Sequence, residues 1–228
     1  MSDLLSPEEM QRLRSFDSPT ICNAIEPFNV RHRLEGYVGP DIRCIYPNLG
    51  VMLGYAATVK INTVYADRPL NRAIWFHFLE QLQSCPAPRV VVIQDESESP
   101  CRSSFPGEIL SSTLKRLGVI GLITNGAVRD VEQVRAIGFH YFAGGIVVSH
   151  GKIEAVAAQV PVTISGLTVK PGDLIHADVN GIVHIPNDIA KQVAERAQKV
   201  MTTEASWLEL IRGQDFTPAR LLAKIEGR

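Results

Sequence analysis

The stretch from Arg89 to Thr124 constrains the fold more than any other part of this chain. It opens with RVVVIQD, a short β-branched run, passes through the loop ESESPCRSSFPG, and continues as EILSSTLKRLG and then VIGLIT. Ile109, Leu110, Thr113, Leu114 and Leu117 recur at helical spacing, and Gly118 supplies the stop. The two flanking runs are apolar without alternation, as strands covered on both faces are. Strand, helix, strand is a parallel crossover unit. Its strands share a carboxyl edge, and ligands in open α/β sheets bind in the crevice outside that edge.

The rest of the chain fits around this unit. Ser6-Pro7-Glu8-Glu9 places a cap, a proline at the first helical position and acids at the positive helix end; Asp17-Ser18-Pro19-Thr20 opens a second short helix. VMLGYAATVKI reads as strand, and NRAIWFHFLEQL as a helix burying Ile74, Phe78, Leu79 and Leu82. VEQVRAIG is a short helix and HYFAGGIVVS a strand. PVTISGLTVKPGDLIHADVNGIVHIP is a run of short strands with turns at Ser165-Gly166, Pro171-Gly172 and Asn180-Gly181. After Pro186, NDIAKQVAERAQKV sets Ile189, Val193 and Val200 at helical spacing. The expected organisation is an α/β domain over residues 1–186 with N-terminal helices, and a helical extension over 187–228 that packs on the same or a neighbouring subunit.

Charge and cysteine usage remove several function classes. With 23 basic and 24 acidic side chains the formal net charge is -1, so no global field draws nucleic acid or an anionic membrane surface. Nor is there a basic stripe with interleaved aromatics. Cys22, Cys44, Cys85 and Cys101 are widely spaced with no CxxC, which reads as reduced thiols and not as a structural zinc site. MSDLLSPEEMQRLRSF is acidic and amphipathic, unlike a secretory signal, and no apolar run is long enough to span a bilayer. The expected location is the cytoplasm, and the expected partner a small molecule.

Candidate chemistry gathers at the carboxyl ends of the predicted parallel strands. Asp95 ends the first, and ITNGAVRD carries the second past an Asn-Gly turn signal into Arg129-Asp130. Amides at the helix start after Pro106-Gly107 point to the same crevice, a site for a carboxylate or phosphate. Arginine binds a carboxylate bidentately and an aspartate oxygen holds a hard cation, so Arg129 and Asp130 suit a carboxylate substrate with a divalent metal. The local alternative is a salt bridge, or a cap on VEQVRAIG. Asp95, Glu96 and Glu98 offer further charge near such a cation, or form a solvated loop. Asp173 and Asp178 belong to turns, and His176 and His184, at alternate hairpin positions, read as structural.

Glu108, twenty intervening residues and then Arg129-Asp130 resemble the acid-gap-Arg-Asp signature of the RraA-like family. The resemblance runs from about Val90 to Pro186, through PGEILSSTLKRLGVIGLITNGAVRDVEQVRAIGFHYFAGG and VKPGDLIHADVNGIVHIP. It implies an RraA-like layered α/β fold with a central sheet, flanking helices and the C-terminal helical extension. The family contains metal-dependent 4-hydroxy-4-methyl-2-oxoglutarate/4-carboxy-4-hydroxy-2-oxoadipate aldolases and non-catalytic regulators of ribonuclease E. Within TNGAVRD, FAGG and VSH the chain is similar to an uncharacterised subgroup.

For the aldolases the resemblance implies specific roles. Asp130 would be the direct ligand of Mg²⁺ or Mn²⁺, Glu108 would hold metal-bound water, and Arg129 would bind substrate. Amides around Gly107, Glu108, Ile109 and Leu110 would receive the carboxylate of a 2-oxo acid. Its cleavage leaves a pyruvate enolate that cation and arginine stabilise, an intermediate that retro-aldol cleavage shares with oxaloacetate decarboxylation. Asn125, expected as a substrate contact, stands where the aldolases often carry an acid, and Asn23 replaces a frequent aspartate. Met201 aligns with a glutamate the aldolases borrow from a neighbouring subunit, with Glu204 one turn later as a substitute metal-site acid. His150 either approaches the pocket or bonds backbone at a strand end.

The leading expectation is a metal-dependent lyase assembled as a homotrimer or hexamer; the alternative is a protein-binding ribonuclease regulator. The retained acid at Glu108 and the long extension favour the lyase. A methyltransferase would need a glycine-rich strand-to-helix turn early in a doubly wound sheet, and the early glycines here are scattered.

Overall fold

The computed structural model describes residues 4–64 and 69–227. Met1 to Asp3 of the N-terminal segment and Arg228 of the expected extension lie outside the described residues. In chain order, α1 (Pro7–Arg14), α2 (Ser18–Ile25), β1 (Arg43–Cys44) and the long β2 (Met52–Val64) come first. Next are α3 (Ala73–Gln81), β3 (Arg89–Asp95), α4 (Glu108–Arg116), β4 (Val119–Val128), α5 (Val131–Ala136) and β5 (His140–Ile146). β6 (Lys152–Ala158), β7 (Val162–Ile164), β8 (Leu167–Val169), β9 (Leu174–Asp178) and β10 (Gly181–Ile185) precede α6 (Ala190–Arg212) and α7 (Pro218–Ile225).

The central sheet runs β1-β5-β4-β3-β2-β9-β10. β2, β3, β4 and β5 are mutually parallel, while β1, β9 and β10 join antiparallel. β2 gives one edge to β3 and divides the other between β9, at Met52–Tyr55, and β6, at Val59–Val64. Strand alternation explains the unbroken apolar run in β3. Val91 and Ile93 face Phe78, Leu114, Val134 and Tyr141 beneath α3, α4 and α5, whereas Val90 and Val92 face Val162, Ile164 and Val169 of the β7–β8 hairpin. Both faces are covered, so no polar position is tolerated between them.

A third cluster packs α1, α2 and the first half of α6 on Leu53, Tyr55, Leu174 and Ile185. α1 starts with a capping box: Glu9 N donates to Ser6 Oγ at 3.2 Å and Ser6 N to Glu9 Oε2 at 2.7 Å. α2 is tied to the β9–β10 hairpin through buried polar groups. Ser18 N donates to Asp178 Oδ2 at 2.8 Å, and His176 Nδ1 and Nε2 lie 3.0 Å from Ser18 Oγ and 3.1 Å from Phe16 O. His184 Nε2 is 3.7 Å from Asp173 Oδ1, in the same hairpin region.

The Asn-Gly pair at residues 125 and 126 does not form a turn. β4 continues through it to Val128, with an irregular register on β5 between Thr124 and Ala127. A hairpin turn returns the chain to an antiparallel neighbour, and here the next strand is parallel and reached through α5. The Asn125 amide instead clamps the end of β3: Asp95 N donates to Oδ1 at 2.7 Å and Nδ2 donates to Asp95 O at 2.9 Å. Asn125→Asp removes the only one of these donors that the side chain supplies and sets a carboxylate oxygen against a carbonyl. It should cost about 1–3 kcal/mol in a denaturant titration, without changing the slope.

One buried and two half-buried histidines give the fold an acid-sensitive limb. Burial holds His176 and His184 below the usual histidine range, and burial, aided by the Arg14 charge, pushes His140 down to about 4. The unfolded chain, with histidines near 6.5, therefore binds more protons than the native state below that pH. Their contribution is whole above about pH 6.5 and is lost as pH falls toward the folded values. The thermal midpoint should drop between pH 7 and 5, and His140→Gln should make that drop shallower.

Candidate functional site

The loops after β3 and β4 meet along one edge of the sheet. Ser104 bridges Ala127 in parallel fashion, Ser104 Oγ donates to Pro106 O at 2.9 Å, and Arg129 N donates to the same carbonyl at 3.0 Å. The start of α4 is thereby fixed beside the end of β4. Between them and a wall formed by α3 and β6 lies a cleft of about 800 Å³, within the range of small-molecule sites.

Asp130 occupies the left-handed region, φ 55° and ψ 42°, and is the residue from which α5 starts. Aspartate tolerates that conformation better than most residues, at a modest cost. The turn sends its carboxylate back to α4, where Oδ2 accepts from Glu108 N at 2.9 Å and lies 3.7 Å from Arg129 Nε. Gly107 permits this approach: a Cβ there would stand 2.6 Å from Asp130 Oδ2 and 3.0 Å from Arg129 Nε. Ser111 N is the first to join the helix ladder, at 3.0 Å from Gly107 O. The amides of Ile109 and Leu110 consequently remain in the first turn without a helical acceptor, while that of Glu108 is engaged by Asp130.

Gly107, Glu108, Ile109, Leu110, Arg129, Asp130 and His150 all line the one cleft. His150 is exposed, with Nδ1 3.3 Å from Gly151 O. Asn125 is not among the lining residues and spends its amide on the β3 clamp. Glu204 lies on α6, where Asn23 Nδ2 donates to its Oε1 at 3.4 Å, also away from the cleft of its own chain. Asp95, only 4% exposed, accepts from Ser97 N at 2.9 Å, and Glu96 pairs with Lys60 at 2.7 Å. Those acids make local bonds.

The opposite wall was not legible in the motif. Trp75, Phe76 and Leu79 of α3 and Ile153 of β6 give the cleft an apolar side, with Trp75 edge-on to Phe105 at 4.9 Å. Asn71 N donates to Glu154, tying the approach to α3 onto β6. The available signal was in α3 itself, where Phe76 falls off the buried stripe and is 57% exposed.

Chemically, the polar side joins a guanidinium, two carboxylates and unpaired amides. Arg129 Nε is buried without a hydrogen-bond acceptor among the described residues, a donor that a bound anion would satisfy. Among the described residues no three His, Cys, Asp or Glu side chains converge as a metal cage. A hard cation that keeps most of its waters needs only one or two carboxylates. Asp130, whose contacts among the described residues fall on Oδ2, with Glu108 beside it, fits that requirement.

Comparison with known proteins places the chain. The RraA-like family model, described as Aldolase/RraA, matches residues 18–184. Protein DlpA of Legionella pneumophila is 28% identical over 87% of this chain, which spans only 31% of that protein's length. An uncharacterised protein of Methanocaldococcus jannaschii, MJ0644, is 30% identical over 91% of each chain. A protein of Halalkalibacterium halodurans, provisionally named 4-hydroxy-4-methyl-2-oxoglutarate aldolase, is 29% identical over 47% of this chain and 52% of its own. Streptomyces coelicolor RraAS2, described as an unusual member of the RNase ES inhibitor RraA protein family, superposes with a TM-score of 0.71 at 23% identity, covering 89% of this chain and 97% of that one. The mixed sheet with flanking helices is the fold of these neighbours, and the chain belongs to the RraA-like family.

Proposed function

We propose that the cleft is the active site of a divalent-metal-dependent carbon–carbon lyase. It cleaves a 2-oxo acid through a pyruvate enolate, as a 4-hydroxy-4-methyl-2-oxoglutarate aldolase does, with oxaloacetate decarboxylation as a companion activity. The observation that carries this reading is the placement of Arg129 and Asp130 against the first turn of α4, whose Glu108 amide is held by Asp130 and whose next two amides have no helical acceptor. That arrangement offers a carboxylate-binding surface beside a metal-binding one.

The amides of Ile109 and Leu110 receive the substrate carboxylate at the positive end of α4. Arg129 donates to substrate oxygens, and its charge opposes the negative charge that develops on the enolate. Magnesium or manganese held by Asp130, and through water by Glu108, would supply Lewis-acid polarisation of the substrate carbonyl. Glu108, exposed at the cleft, orients water near the carbon that must be protonated. Trp75, Phe76 and Leu79 limit solvent on the other side. Under this reading the first half of α6 stays on its own chain, and the rest of the helical extension packs on a neighbouring subunit of a homotrimer or hexamer and brings Glu204 toward that neighbour's site. Exposed Met201, Leu208 and Leu222 support such packing.

Metal-stripped protein should release pyruvate from oxaloacetate only when Mg²⁺ or Mn²⁺ is restored, above the metal-only rate. Asp130→Ala should abolish that release. Arg129→Ala should raise KM and lower kcat together, because its charge meets ground state and enolate alike. If the wild-type protein releases no pyruvate from oxaloacetate or from hydroxylated 2-oxo diacids, the lyase reading falls and a ribonuclease-regulator role replaces it.

Gly107→Ala tests the geometry. The new methyl group displaces the Asp130 carboxylate, so turnover should fall by about 10–100-fold while circular dichroism remains that of the parent. Unchanged turnover would show that the Asp130–Glu108 contact has no part in the chemistry.

A further inference from the structure

At the opposite end of the sheet, where β4 and β5 begin, lies a second cavity, of about 440 Å³. Two cationic side chains and a neutral imidazole from separate elements line it: Arg14 in the last turn of α1, Lys115 in the last turn of α4, and His140 at the start of β5. Among the described residues no aspartate or glutamate lines it.

Part of this charge has a local explanation. Basic residues in last helical turns complement the exposed carbonyls there, and Arg14 Nη2 donates to Leu53 O at 3.1 Å while Lys115 Nζ donates to Ile137 O. These bonds leave two nitrogens unexplained. Arg14 Nε and His140 Nδ1 are both buried without a hydrogen-bond partner. Arg14 Nε is always a donor and His140 Nδ1 is one in one of the two neutral tautomers, and an unsatisfied buried donor is costly enough that it points to a missing acceptor. Of four such side-chain atoms among the described residues, two lie on this cavity and a third, Arg129 Nε, lines the cleft.

We propose that this cavity is a second ligand site, for a compact oxyanion bearing a phosphate or carboxylate group, held by Arg14, Lys115 and His140. An arginine edge and a lysine ammonium give charge-assisted bonds to such a group, and the absence of a lining carboxylate removes the competitor that would otherwise neutralise them. The site is independent of the chemistry in the cleft. Its ligand approaches the amino ends of the strands, and the cleft opens at their carboxyl ends.

The test is thermal denaturation of the full chain at fixed ionic strength, with chloride replaced by inorganic phosphate or by malonate. At ten times the dissociation constant the midpoint should rise by roughly 3–5 °C. Lys115→Gln, at an exposed position, should lose most of that rise, and Arg129→Ala, which removes the anion contact of the cleft, should retain it. The His140 ring resonances should move during the same titration. A response to phosphate, to malonate or to both, with this pattern, supports the site. No response beyond chloride, or one that survives Lys115→Gln and disappears in Arg129→Ala, overturns it and leaves the lyase assignment untouched.

Discussion

The parallel hydrogen-bond register between β3 and β4 is the constraint on which the rest of the molecule depends. Val90 opposite Gly121 and Ile93 opposite Thr124 set the two strands side by side with the same direction. Their connection must then cross over a covered face, which is the task of α4. As a result the start of α4 and the end of β4 lie at one edge, although twenty residues separate Glu108 from Arg129. The spacing in the sequence is the length of one helix and one strand, and its purpose is spatial.

Two details give that edge the geometry of the candidate site. Asp130 adopts a left-handed backbone, which reverses its side chain toward α4, and Gly107 has no Cβ to obstruct it. The resulting bond to Glu108 N fixes a carboxylate 3.7 Å from Arg129 Nε, so the charge pair at the end of β4 is held against the start of α4. Asn125 supports this from behind by clamping the end of β3 to β4. The same crossover helix has Lys115 at its far end, in the basic cavity. One element thus contributes to both ends of the sheet.

Much of this was legible in the chain. Unbroken β-branched runs marked the covered strands, and a serine, proline and two glutamates marked the start of α1 because capping is a local interaction. The turn chemistry was legible at Ser165-Gly166, where both residues have positive φ and β7 folds back on β8. It misled at Asn125-Gly126, because the same dipeptide serves an irregular strand when its amide finds a backbone partner on the next strand. The apolar wall of the cleft was hidden for a related reason. Trp75 and Phe76 lie on a helix whose buried stripe is evident in sequence, but their approach to Arg129 and Asp130 is a contact between distant segments.

By itself, the sequence determined the parallel crossover, the capped helices, the hairpins and the family signature, since each follows from local periodicity, local capping or a fixed spacing. Only the tertiary structure decided which amides at the start of α4 remain unpaired, which acids are spent on turns and ion pairs, and which basic side chains share a cavity. Those outcomes depend on hydrogen bonds and burial between residues far apart in the chain. No periodicity records such contacts.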